Sequence, residues 1–207
     1  MVGLLNETFG GLSLRGKARA VVNGSISVLA ADPAKALNLY LETELALFSK
    51  SLPKNAEVQT IFLHELVTEL IVSFKLSKLA RNYIGFIRGS LGIAPGFVTR
   101  NFSRFVEFAV DAELPLDEIV ILAPFNKMGF QMNPSRSDCE LKLKEFRGID
   151  VIAMSVLAAG YSDLDEAIDY LLNLGTRVSC VVGVSTEKQA DETFKRFKLA
   201  PRRPDSN

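Results

Sequence analysis

Short apolar runs alternate with longer amphipathic runs along most of the chain. Segments such as IVILAP and VSCVVGV are apolar on both faces, which is typical of parallel strands covered by helices. Each run is followed by a loop and a helical pattern, in units of roughly 30 residues that suit a crossover connection. The pattern predicts an α/β fold with six parallel strands, at residues 18–23, 58–64, 83–88, 118–124, 150–156 and 178–184.

The length of the chain bounds the architecture. A chain of 207 residues suits about one domain and is shorter than the roughly 250 residues of a complete eight-unit barrel. We therefore expect a TIM-barrel-like parallel β/α repeat that is incomplete or shortened, over residues 18–198. We expect residues 1–17 to form a tail or cap, and residues 199–207 to form a disordered tail. Because strand 18–23 would leave unpaired N–H and C=O groups, we expect a homodimer or coverage by residues 1–17.

Polar residues at the starts of the helical runs supply capping signals. Asp32, followed by Pro33, opens a helix that extends to about Phe48. The helix after the second strand is predicted at residues 67–80. Further caps are expected in three places: residues 137–140 and 186–189, each with the spacing of a capping box, and Ser162 or Asp163.

The net charge and the hydropathy of the chain argue against nucleic acid and membranes as binding partners. The 24 basic and 24 acidic residues cancel, so no broad field favours nucleic acid or an anionic membrane. No apolar run reaches the length of a membrane span, and residues 1–20 lack a charged-then-apolar leader. These features predict a soluble cytoplasmic protein. Cys139 and Cys180 have neither metal-ligand spacing nor a disulfide framework, so we expect no metal site.

Chemistry in β/α barrels lies at the carboxyl ends of the strands. The polar residues predicted there are Asn23, His64, Glu65, Arg88, Asn126, Lys127, Ser155 and Ser185. His64 and Glu65 are the candidate catalytic residues. His64 either polarises a substrate oxygen or is hydrogen-bonded within the barrel mouth, and Glu65 could act as a base if the chain turns inward.

Other residues predicted at strand ends indicate a binding site for an anion. The planar fork of Arg88 suits a carboxylate or phosphate, with a structural salt bridge as the alternative. Asn126 offers an orienting amide, and Lys127 a charge for an anion unless it is a solvated loop lysine. In the turn of Gly183, Ser185 and Thr186, exposed N–H groups and hydroxyls meet the positive end of a helix, unless the hydroxyls only cap it. We expect Arg88 and this turn to hold one small anionic or phosphorylated ligand.

Three segments resemble a known family. VILAPFNKMGF, GIDVIAMSVLAAG and VSCVVGVSTEKQADETF are similar to the last three βα units of aldo-keto reductase-like barrels. TIFLHE resembles that family's fourth strand with its histidine, here His64, and KARAVVN occupies the position of the third. The resemblance covers residues 18–198 and implies a (β/α) barrel with NAD or NADP as cofactor. The catalytic residues of reductases in this family are an aspartate, a tyrosine, a lysine and a histidine. The first two barrel units have no visible counterpart here, and Asn23 stands where the lysine would be expected. The resemblance therefore places only the histidine, at His64.

These patterns and the resemblance leave three alternative hypotheses for the function. The first is a barrel-like protein that binds a small anionic or phosphorylated molecule at its strand ends. The second is an oxidoreductase of aldo-keto reductase type that uses NAD or NADP, with its acid supplied by the N-terminal segment or another subunit. The third is a non-catalytic interaction or assembly protein. A barrel lyase or isomerase is the other enzyme class that the fold allows.

Overall fold

The computed structural model of the protein describes residues 32–174 and 178–199. The chain divides into two compact units, Met1–Glu57 and Val58–Asn207. The strand predicted at residues 18–23, together with Asn23, lies outside the described residues.

The described part of the first unit contains helix α1, Pro33–Ser49. Asp32 caps this helix, because its Oδ1 accepts hydrogen bonds from the N–H groups of Ala34 at 3.1 Å and Lys35 at 3.3 Å. Pro33 occupies the first turn, where a backbone N–H would have no partner within the helix, so the N–H that proline lacks is not needed there. The helix predicted from Asp32-Pro33 is confirmed.

The second unit is built on a sheet of five parallel strands in which each strand lies beside the next one in the chain. The strands are β1 (Thr60–Leu63), β2 (Ala94–Val98), β3 (Val120–Pro124), β4 (Asp150–Met154) and β5 (Val178–Cys180). The helices are α2 (Glu65–Ser73), α3 (Ser77–Leu91), α4 (Phe102–Asp111), α5 (Arg136–Glu145), α6 (Leu164–Asn173) and α7 (Glu187–Leu199). The predicted α/β class, with a parallel sheet and a β/α repeat, is confirmed. Four predicted strands overlap β1, β3, β4 and β5.

The strand predicted at residues 83–88 is wrong, because these residues belong to α3. Ala80, Tyr83, Ile84 and Ile87 are buried there, at the three- and four-residue spacing of one helix face. The strand at this place in the sheet is β2, whose sequence APGFV contains the proline and glycine that strand interiors disfavour.

The helix predicted at residues 67–80 is two helices, α2 and α3. Lys75 has a φ of 52°, in the left-handed region that ends helices, so the chain turns there. The N–H of Leu76 donates to the carbonyl of Ile71 at 2.9 Å and closes the end of α2.

One face of the sheet is buried against helices in the three central strands, β2, β3 and β4. Phe97 on β2 pairs in register with Ile121 on β3. Its ring centroid lies 5.1 Å from that of Tyr83 on α3 and 5.0 Å from that of Phe105 on α4. This packing fixes the strands and therefore the positions at which they end.

Candidate functional site

The carboxyl ends of the five strands lie along one edge of the sheet, because all the strands are parallel. The residues that directly follow the strands are His64, Thr99, Phe125, Ser155 and Val181. In parallel α/β sheets, ligands bind at this edge. We refer to it as the carboxyl edge.

Neighbouring loops at the carboxyl edge are joined to one another. The N–H of Asn133, in the loop after β3, donates to the carbonyl of Arg100 after β2 at 3.0 Å. Ser155, after β4, donates through Oγ to Oε1 of Gln131 at 3.4 Å. The loops after β2, β3 and β4 therefore support each other.

The turn from β2 into α4 is held by one carboxylate, that of Glu69 on α2. Its Oε1 accepts hydrogen bonds from Oγ1 of Thr99 at 2.7 Å and from the N–H of Arg100 at 3.3 Å. Its Oε2 accepts a third, from Nδ2 of Asn101 at 2.8 Å. Oγ1 of Thr99 also accepts from the N–H of Asn101 at 2.9 Å. Three consecutive residues at the end of β2 are thus fixed by a single side chain.

The side chain of Arg100 lies beside Glu65, one helical turn before Glu69. Nε of Arg100 is 3.1 Å from Oε1 of Glu65, an ion pair by distance. The direction of the Nε–H bond does not suit a hydrogen bond to Glu65, so Nε, which is buried, has no hydrogen-bond partner. The arginine side chain is 43% exposed and that of Glu65 is 29% exposed. An arginine fork is therefore partly open to solvent at the carboxyl edge.

Left-handed backbone is concentrated in two loops of this edge. Gln131, after β3, has a φ of 60°, and Ser155, Ala158 and Ala159, after β4, have φ values of 53°, 47° and 59°. None of these residues is glycine, so each conformation costs about 1–3 kcal/mol that surrounding contacts must offset. Such conformations cluster at functional sites, which adds weight to the carboxyl edge as the candidate site.

The candidate catalytic residues lie next to each other at the start of α2. His64 is exposed and is the N-cap, because its Nδ1 accepts a hydrogen bond from the N–H of Leu66 at 3.2 Å. Glu65 is the first residue of the helix and faces Arg100. His64 therefore has a structural role in starting α2, and Glu65 belongs to an ion pair.

Arg88 is not at the carboxyl edge. It lies in the last turn of α3 and pairs with Glu118, which precedes β3. Since α3 leads into the amino end of β2, this ion pair lies at the opposite end of the strands. The prediction that Arg88 ends a strand and shares an anion with the turn after β5 is wrong in its placement of Arg88.

Asn126 and Lys127 both follow β3, as predicted. Asn126 is fully buried, and its amide donates to the carbonyl of Phe130 at 2.9 Å and accepts from the same residue's N–H at 2.8 Å. Nζ of Lys127 lies 2.6 Å from Oε1 of Glu166 on α6. The hydrogen bond to Glu166 raises the pKa of Lys127 and keeps it charged. Both side chains therefore hold the loop in shape.

The turn of Gly183, Ser185 and Thr186 is exposed and leads into α7. Oγ1 of Thr186 accepts from the N–H of Gln189 at 3.1 Å, while Oε1 of Gln189 accepts from the N–H of Ser185 at 2.8 Å. A Cβ added at Gly183 would meet no atom within 4 Å. The predicted capping of α7 is confirmed, and the cap already occupies two of the groups expected to bind an anion.

Four residues of this site, Glu69, Thr99, Arg100 and Asn101, are not among those predicted from the sequence. With a strand predicted at residues 83–88, the triplet that follows β2 does not stand at a predicted strand end. One signal was available: Glu65 and Glu69 lie four residues apart and so share one helix face. Only the folded sheet shows that this face meets β2.

A surface depression of about 350 Å³ lies elsewhere on the second unit. Its lining comes from the end of α2, the start of α3 and from α4, and includes Val72, Lys75, Arg104, Glu107, Phe108 and Asp111. No residue that directly follows a strand contributes to it. We therefore place the candidate site at the carboxyl edge, where polar groups meet a fixed backbone, and not in this depression.

Burial raises the pKa of Cys139 and Cys180, which keeps both side chains as thiols. Across residues 32–174 and 178–199, no three histidine, cysteine, aspartate or glutamate side chains converge as metal ligands would. In the same part of the chain, no helix is both long and apolar enough to cross a membrane.

Comparison with known proteins gave no match to a protein-family model, to a curated protein or to a solved structure.

Proposed function

We propose that the protein binds a small anionic molecule at the carboxyl edge of its sheet and that Arg100 is the cation that holds it. Arg100 follows β2 directly in the Thr99–Arg100–Asn101 turn. Its backbone is held from two sides, by Glu69 through its N–H and by Asn133 through its carbonyl. A fixed backbone with a partly exposed guanidinium is the observation that carries the proposal.

The free hydrogen-bonding capacity of Arg100 supports this role. In the part of the chain that the structure describes, its Nη1 and Nη2 have no hydrogen-bond partner, and Glu65 is its one ion-pair partner. A guanidinium presents parallel N–H groups that match a carboxylate or phosphate in two hydrogen bonds. Lys127, by contrast, is paired with Glu166. Arg100 is therefore favoured over Lys127 as the residue that meets an anion.

We also propose that the sheet is part of a TIM-barrel-like arrangement. The strand order β1-β2-β3-β4-β5 supports it, because each strand lies beside its successor as in a barrel. A doubly wound sheet reverses its strand order at a switch point, and these five strands show no reversal.

The reductase alternative receives less support from the described residues. A reductase of this type needs a tyrosine acid with a lowered pKa at the site. Burial raises the pKa of two of the described tyrosines, Tyr83 and Tyr170, so neither of these two is such an acid. The anion-binding proposal needs neither residue and includes nicotinamide dinucleotides only as one kind of phosphate-bearing ligand.

The test compares two arginines in matched surroundings. The side chains of Arg100 and Arg88 are each 43% exposed, and each is paired with a glutamate. The melting temperature is measured with inorganic phosphate, sugar phosphates, NAD, NADP, simple carboxylic acids and amino acids. We expect at least one compound to raise the melting temperature of the wild type and of Arg88→Ala, and to have little effect on Arg100→Ala. Circular dichroism establishes that each variant is folded.

Arg100→Lys refines the result, because lysine keeps the charge and loses the fork. We expect this variant to retain part of the shift. If no compound shifts the wild type, or if Arg100→Ala responds as the wild type does, the proposal is wrong.

A further inference from the structure

We propose that the ligand is a zwitterion of the amino-acid type, with its carboxylate on Arg100 and its ammonium group on Glu65. This inference rests on the proposed function and names the chemical class of its ligand.

Glu69 and Glu65 lie on the same face of α2 but differ in their hydrogen bonding. Both oxygens of Glu69 are occupied by donors from the Thr99–Arg100–Asn101 turn. For Glu65, the part of the chain that the structure describes provides the contact with Nε of Arg100 and no hydrogen bond. Since a carboxylate can accept about four hydrogen bonds, Glu65 keeps most of its capacity for a ligand.

Arg100 and the carboxylate of Glu65, which accepts no hydrogen bond in the described part of the chain, are direct neighbours. Oε1 of Glu65 lies 3.1 Å from Nε of Arg100, and both side chains reach solvent. The ammonium and carboxylate groups of an α-amino acid are attached to one carbon atom. A ligand of this kind can therefore place one group on each partner without rearranging the ion pair's backbone.

The charge balance around Arg100 disfavours a multiply charged anion. Arg100 carries one positive charge, whereas Glu65 and Glu69 carry one negative charge each, so the group is negative overall. A phosphate dianion on Arg100 would be repelled by both carboxylates, whereas a zwitterion adds no net charge. The same surroundings that weaken phosphate binding stabilise an ammonium group.

Calorimetric titration of the full chain tests the inference with four kinds of probe. These are the common protein amino acids, their N-acetyl derivatives, their carboxamides and inorganic phosphate. Acetylation removes the positive charge and keeps the carboxylate, while amidation does the reverse. We expect an amino acid to bind about tenfold or more tightly than its N-acetyl form, because the latter loses a charge-assisted hydrogen bond to Glu65. Its carboxamide and phosphate should bind more weakly still.

Two variants separate the roles of the pair. Glu65→Gln should weaken binding of the amino acid by about tenfold and leave its N-acetyl form unchanged or tighter. Arg100→Gln should abolish binding of both. Glu118→Gln is the matched control, because it alters the corresponding ion pair with Arg88 and should leave every affinity unchanged. Circular dichroism and urea unfolding confirm that the variants are folded.

The failures of the two proposals are distinguishable. If the N-acetyl form or phosphate binds as tightly as the amino acid and the binding requires Arg100, the zwitterion inference is wrong and anion binding stands. Unchanged binding of the amino acid in Glu65→Gln also overturns the inference. If no probe binds, the zwitterion inference is wrong, and the melting-temperature test with the wider set of anions decides the anion-binding proposal. If binding survives Arg100→Gln, both proposals are wrong.

Discussion

The hydroxyl group of Thr99 donates a 2.7 Å hydrogen bond to Oε1 of Glu69, joining the end of β2 to helix α2. Thr99 is fully buried, so no water replaces this partner if it is lost. The same carboxylate holds the next two residues, and the position of Arg100 therefore depends on α2.

Replacement of Glu69 should show the strength of this connection. Glu69→Ala removes the acceptor of three hydrogen bonds and should lower the free energy of unfolding by about 3 kcal/mol, because bonds to a charged acceptor are strong and their donors are left unpaired. Glu69→Gln keeps an acceptor oxygen and should cost about 1 kcal/mol. Urea unfolding measures both. Glu192→Ala, in an exposed ion pair with Lys188, is the control and should have no measurable effect.

Gly96 provides a test of packing between β1 and β2. It pairs in register with Phe62, and a Cβ added to Gly96 would lie 2.5 Å from Cδ1 of that ring. Gly96→Ala should therefore lower the free energy of unfolding by about 1–3 kcal/mol. In a Phe62→Ala background the clash is absent, and the same change should stabilise by some tenths of a kcal/mol because alanine loses less entropy in a strand. A double-mutant cycle measures the difference. Equal costs in both backgrounds would show that the ring is not the obstacle.

Two buried tyrosines should make stability fall in alkaline solution. Burial raises the pKa of Tyr83 above its ordinary value of 10.0, and burial together with the neighbouring Glu140 carboxylate does the same for Tyr170. The unfolded chain therefore loses these protons first. The stabilisation is complete below pH 10 and declines as the pH rises above it, by up to about 1.4 kcal/mol per pH unit for each residue.

Urea unfolding across this pH range checks the tyrosine prediction. Tyr83→Phe should start less stable at neutral pH, because it loses the hydroxyl that lies 2.9 Å from the carbonyl oxygen of Gly96. It should also show a shallower decline above pH 10. Tyr161→Phe is the control, because Tyr161 is 78% exposed, and this variant should decline as the wild type does. A Tyr83→Phe variant with the wild-type slope would contradict the assignment.

The cap of α7 distinguishes Thr186 from Ser185. Thr186 accepts through its side chain, whereas Ser185 contributes only its N–H. Thr186→Ala should lower the free energy of unfolding by about 1 kcal/mol, and Thr186→Ser should retain most of it. Ser185→Ala should have no effect on stability. The same urea measurements decide this, and a larger cost at Ser185 than at Thr186 would be inconsistent with the capping geometry.

Much of the fold could be predicted from the sequence where a local pattern decides the structure. The cap at Asp32, the cap of α7 by Thr186 and the strands β1, β3, β4 and β5 depend on interactions within a few residues or on a strongly apolar run. Asp163 was also expected as a cap, and its Oδ1 accepts from the N–H of Glu166 at 2.8 Å. The box predicted at residues 137–140 is displaced, because Ser135 is the N-cap of α5.

The candidate site could be predicted only in part. The carboxyl edge was the expected place, and His64, Glu65, Asn126, Lys127 and Ser185 follow strands there as predicted. Three of these residues, His64, Asn126 and Ser185, form hydrogen bonds that cap a helix or close a loop. These hydrogen bonds could not be deduced from sequence spacing. The partners lie in the folded loops, and each loop conformation depends on its neighbours.

The sequence by itself determined the α/β class, the parallel strands that have strong apolar runs and the helix caps, because local propensity and periodicity suffice for these features. Tertiary structure alone decided between β2 and a strand at residues 83–88. The segment YIGFIR is apolar enough for a strand or for the buried face of a helix, and APGFV forms a strand only when β1 and β3 pair with it. That choice moved the strand-end arginine from Arg88 to Arg100. It also joined Glu69 to residues about thirty positions away, a contact that exists only after the sheet has formed.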